Sequence, residues 1–107
     1  MSATDARVVF VTTPDVVVAE RIGRTVVDEN LAACANILPG IRSIYRWEGA
    51  IEDTAEVLLL VKTTAARVEA LRARVIELHP YDVPEFLAVD ASSAHAPYVD
   101  WMRENTQ

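Results

Sequence analysis

A chain of 107 residues, 51% of them apolar and only three glycine, has enough material for a single packed domain over residues 1–107 and is too hydrophobic for a disordered segment. Its net charge of −6 and isoelectric point near 4.8 deny it the basic face that phosphate neutralisation requires, which excludes nucleic acid as a partner. One cysteine allows no internal disulfide and suits a reducing compartment, while the N-terminus lacks a signal peptide's apolar stretch and no apolar run approaches a membrane span; the expectation is a soluble cytoplasmic protein with no membrane partner.

Val8 to Val11 is a β-branched and aromatic run suited to a buried strand. Thr12-Thr13-Pro14-Asp15 then offers helix-start signals: a hydroxyl cap, a proline in the first turn, and an acid facing the positive end of the helix dipole. Ala19, Ile22 and Val26 recur at helical spacing, and Asn30 can end that helix in a left-handed conformation. Leu31 to Trp47 reads as one long strand bent at Pro39-Gly40, where the missing proline N–H demands a bulge or an edge. Glu48-Gly49-Ala50 marks a hairpin tip, and a return strand runs from Ile51 to Lys62. A second helix starts near Thr64 with an apolar stripe of Val68, Leu71, Val75 and Leu78, and His79-Pro80 stops it. Phe86 to Val89 is a fourth strand. Pro97 opens a short C-terminal helix that Tyr98 and Trp101 are expected to anchor.

This order predicts an α+β, ferredoxin-like split βαβ fold: an antiparallel sheet with two helices on one face, an extended hairpin between the second and third strands, and a C-terminal helix. Three of the strands are apolar at successive positions, where a sheet with one wet face should alternate. Both sheet faces therefore present hydrophobic groups, and self-association through the open face follows.

Two sets of residues are candidates for chemistry. Cys34 offers a thiolate for a soft cation such as copper(I), or a core thiol in an alanine-rich strand entry. His79, at a helix stop, is expected to be half exposed, as a metal ligand or as a capping imidazole; with Glu85 nearby it suffices for weak copper(II) binding that does not require Cys34. His95 has no partner at ligand spacing, and neither CxxC, HxxxH nor HExxH occurs, which argues against a preassembled metal site. The second set is Tyr45, Trp47, Glu56, Lys62 and Tyr81. An aromatic wall with one cation and one carboxylate suits a small anion or metabolite in a subunit cleft, or seals an interface. No glycine-rich phosphate loop or G-x-S-x-G elbow is present, so no enzyme activity is expected.

The stretch from Leu31 through Cys34-Ala35-Asn36, Pro39-Gly40 and Tyr45-Arg46-Trp47-Glu48-Gly49, followed by Lys62-Thr63, His79-Pro80-Tyr81 and Pro84-Glu85, resembles the CutA divalent-cation tolerance proteins from about Val8 to Trp101. The resemblance implies a non-catalytic homotrimer with inward-facing sheets, associated with tolerance of divalent metals, copper foremost. Some members carry paired histidines before the Pro-Tyr and a cysteine near the end of the first strand. Here those places hold Leu78-His79 and Val11, which implies weak metal binding. Two alternatives stay open: a ligand-sensing trimer resembling the PII signalling proteins, and a structural scaffold trimer. The tight tip at Glu48-Gly49 weighs against the long mobile loop of PII-like sensors.

Overall fold

The computed structural model describes residues 4–107. In chain order they form β1 (Ala6–Thr13), α1 (Val16–Asp28), β2 (Cys34–Trp47), β3 (Ala50–Thr64), a 3-10 turn (Ala65–Arg67), α2 (Val68–Leu78), β4 (Leu87–Asp90) and α3 (Ala96–Glu104). The sheet order is β2-β3-β1-β4, with every neighbouring pair antiparallel, as the split βαβ reading requires. No helix among the described residues is long and apolar enough to cross a membrane.

The apolar runs conceal an alternation that burial exposes. Val9 and Val11 of β1 and Leu59 and Val61 of β3 lie fully buried beneath Ile22 and Val26 of α1 and Leu71 and Val75 of α2. Their sequence neighbours face the other way. Val8 and Phe10 stand in register with Val89 and Leu87 of β4, and Leu58 with Leu38 of β2. Together with Leu60 they make the open face, on which Leu87, Val89 and Leu38 are well exposed.

Helix α1 starts two residues later than a Thr13 hydroxyl cap would place it. Asp15 is the cap, accepting from the Val18 N–H at 2.9 Å. Thr13 is still in β1, and its hydroxyl donates across the sheet to the Val57 carbonyl at 3.1 Å. The other end follows the expectation. Asn30 sits at φ 60°, its N–H donates to Val27 and the Leu31 N–H to Val26. These are the paired bonds of a Schellman stop, with Leu31 and Val26 joined in the core.

The hairpin is built by two local devices. Leu38 opposes Leu58 and Ile41 opposes Glu56, so Pro39 and Gly40 together face one residue of β3, a bulge with Gly40 at φ 82°. At the tip, Trp47 opposes Ala50, leaving Glu48 (φ 49°) and Gly49 (φ 82°) as a two-residue type I′ turn. Beyond the bulge, residues 41–47 and 50–56 pair only with each other and run past the end of β1.

Helix α3 lies over one end of the open face, but not through its aromatics. Val99 and Met102 are its buried residues, packed with Ala6 and Ala33. Tyr98 and Trp101 stay about 40% exposed and stack on each other at 5.4 Å.

Candidate functional site

After α2 the chain turns back over the sheet, and residues 80–85 form one wall of a cleft of about 650 Å³. The opposite wall is the outer half of the hairpin, with Ser43, Ile44, Tyr45 and Trp47 from β2 and Glu56 from β3. Thr12, at the end of β1, closes the bottom.

His79 pins the turn. It caps α2 in an extended conformation and is 7% exposed. Its Nε2 donates to the Thr12 carbonyl at 2.8 Å, and its Nδ1 accepts from the Tyr81 N–H at 3.2 Å. Both nitrogens are thus committed in the neutral ring, which corrects the half-exposed histidine read from sequence. Binding a metal would first require one of these bonds to break. The Tyr81 ring lies 4.6 Å from the imidazole, and its hydroxyl donates to Glu56 Oε2 at 2.7 Å.

The electrostatics follow from this burial. Burial first, and then the hydrogen bond to Glu56, hold the Tyr81 phenol protonated far above its usual range. Burial and the neighbouring Glu56 charge push the Glu85 carboxyl above its ordinary value of 4.5. Glu56, Asp82 and Glu85 line the cleft, and among the described residues no lysine or arginine does. The cleft of a single chain thus presents acidic side chains, without the cation that the sequence reading grouped with them.

Tyr45, Trp47, Glu56 and Tyr81 come together as anticipated, with Glu85 added. Within one chain Lys62 does not join them. It stands in register with Val8 and Cys34, six residues or roughly 20 Å along β3 from Glu56. Cys34 shares that remote position. Partly exposed in the single chain, with Sγ 3.7 Å from Asn36 Oδ1, it lies outside the chain's own core and on a different row of the sheet from Glu56. Among the described residues no group of three His, Cys, Asp or Glu side chains is placed to hold a metal ion, so a single chain does not fit a resident metal centre. Sequence reasoning missed Thr12, which contributes a backbone carbonyl that no residue pattern discloses, and Ser43, Asp82 and Val83.

Substituting His79→Ala strands the Thr12 carbonyl and the Tyr81 N–H. The expected loss is about 1–3 kcal/mol, the cost of buried groups left without partners. Chemical denaturation measures it, and a change below about 0.5 kcal/mol would mean that water takes over both bonds.

The family described as CutA1 divalent ion tolerance protein matches residues 7–105. The divalent-cation tolerance protein CutA of Thermus thermophilus is 50% identical over 99 residues, which cover 92% of this chain and 96% of that protein. Protein CutA of Homo sapiens is 45% identical over 98 residues, covering 92% of this chain but 55% of its own length. Among solved structures, CutA from Xylella fastidiosa superposes with a TM-score of 0.95 at 44% identity, covering 97% of this chain and all of that one. The Thermus thermophilus structure gives 0.92 at 48% identity, covering 95% and 99%.

Proposed function

The chain is a member of the CutA1 divalent ion tolerance family, and from that premise we propose that it is a cytoplasmic, homotrimeric, non-catalytic protein that responds to divalent cations, copper foremost, by weak binding. The observation that carries this reading is the open sheet face. Val8, Phe10, Leu58 and Leu60, with the exposed Leu38, Leu87 and Val89, make an apolar expanse that soluble monomers rarely leave to water. Three copies turned inward on this face bury it, and the free outer half of the hairpin reaches a neighbour and covers a strand edge. A non-catalytic role is supported by the names of the relatives and by His79, whose ring is spent on backbone hydrogen bonds. The two-residue tip at Glu48-Gly49 leaves no long loop over the cleft, which disfavours a nucleotide-sensing role.

A divalent cation enters the cleft through carboxylates, Glu85 foremost, with Glu56 and Asp82 beside it. Copper(II) accepts carboxylate and imidazole ligands, but His79 joins only by releasing the Tyr81 N–H. Cys34 is not required. The sign of the pH effect follows from Glu85. Its raised pKa means that the charged form is lost as pH falls through a value above 4.5, so binding fades earlier on acidification than at an ordinary carboxylate.

Calorimetric titration of copper(II) into wild type, Glu85→Gln and Cys34→Ser, with light scattering on the same samples, tests the reading. The expected mass is about three times the 11.8 kDa of the chain. Weak binding should vanish in Glu85→Gln and persist in Cys34→Ser. A monomer at micromolar concentration, or loss of binding in the cysteine variant alone, overturns it.

A further inference from the structure

Lys62 is the single lysine of the chain, against nine arginines, and its position is unusual for a charge. It projects from the open face between Val8 and Cys34 and makes no ion pair among the described residues. The other strand cations, Arg7, Arg42 and Arg46, alternate onto the opposite side of the sheet. If the open face is buried between copies, this ammonium is buried with it, and a buried charge needs a partner.

The cleft has the reverse imbalance. Glu56 is 7% exposed and has one carboxylate oxygen on the Tyr81 hydroxyl. Its Oε1 accepts no hydrogen bond among the described residues, yet is not sealed from solvent. Glu85 stands close enough for the two carboxylates to repel one another. Tyr45 and Trp47 line the same cleft, and aromatic rings attract cations. Within one chain Lys62 and Glu56 are six positions apart on an extended strand, roughly 20 Å, beyond the reach of a lysine side chain.

We infer that Lys62 of one copy enters the acidic cleft of its neighbour, where the ammonium sits between Glu56 and Glu85 against the hairpin aromatics. The inference rests on the trimer proposed above. A closed ring of three joins unlike patches head to tail, so a residue of the open face meeting a cleft on the next copy is a contact of the kind such a ring makes, repeated three times. An ammonium in this place also competes with a divalent cation for the same carboxylates, which accords with weak metal binding.

The test exploits the lone lysine. Zero-length carbodiimide coupling of the wild-type protein, followed by peptide mass spectrometry, should yield an amide between Lys62 and Glu85 or Glu56. The Glu56 product can only be intermolecular, because the intrachain distance along β3 forbids it, and mixing isotope-labelled with unlabelled chains identifies an intermolecular Glu85 product. In parallel, Lys62→Met should weaken the trimer roughly 30-fold or more on dilution, the range for truncating one member of a desolvated pair. Adding Glu85→Gln to that variant should then cost far less than it does in wild type. A trimer in which Lys62 couples to other carboxylates or to none, or in which the two losses simply add, overturns the pairing and leaves the trimer standing. A wild-type monomer by light scattering overturns both.

Discussion

Leu59→Ala is expected to destabilise the fold by about 2–5 kcal/mol, the range for truncating a fully buried leucine. Leu59 has no exposed surface and lies at the middle of the sheet, opposite Val11 on one side and Ile37 on the other. Helix α1 passes directly above it. At Gly23 an added Cβ would come within 3.1 Å of Ala35 Cβ and 3.5 Å of Leu59 Cδ1. The helix is therefore already closer to β2 than an alanine at this place would readily allow, which leaves it little room to settle into the space. Most of the cavity should persist, which places the loss in the upper part of the range. Urea unfolding at one fixed protomer concentration reads it as a lower midpoint with an unchanged slope. A loss below about 1 kcal/mol would show that the core collapses around the missing atoms.

What could be read in the sequence was the chemistry that acts locally. Pro39-Gly40 forces a bulge because proline has no N–H to give, and Glu48-Gly49 closes a hairpin because both residues tolerate positive φ. The helix stops at Asn30 and His79-Pro80 are of the same kind. Choices decided by distant residues were not legible. Thr12, Thr13 and Asp15 are all capping types, and only the register of β1 with Val57 keeps the Thr13 hydroxyl in the sheet and leaves the cap to Asp15. In α3 the pairs Tyr98/Trp101 and Val99/Met102 have the same spacing, and the small Ala6 and Ala33 select the second. His79 becomes a buried strut because the Thr12 carbonyl, 67 residues earlier, waits at the end of β1. Tyr45 and Trp47 share a face by strand period alone, and the bulge then places Ile41, not Gly40, opposite Glu56. Lys62 has the same parity as Glu56, but parity says nothing of distance along the strand. The cleft's residue types were visible; which cation could reach it was not.

For the trimer proposed above, the substitution Leu87→Glu is expected to dissolve the ring and leave the protomer folded. Leu87 is 61% exposed in the single chain, on the edge strand β4 opposite Phe10. A carboxylate there stands in water as long as the chain is alone, and such surface changes stay within about 0.5 kcal/mol. Closing the ring changes its surroundings entirely. The carboxylate must then be desolvated against Val8, Phe10 and Leu60 of the open faces, at a cost of several kcal/mol without a partner, and the ring contains three such sites. Their sum is comparable to the whole association energy of an ordinary interface, so the expected product is a monomer with native circular dichroism. Val17→Glu serves as the control, because Val17 is 75% exposed on α1, on the far side of the sheet, and should alter neither mass nor fold. If Leu87→Glu still scatters light as three chains, the open face is not the surface that holds the copies together. If it unfolds as a monomer, Leu87 belongs to the core of the chain itself.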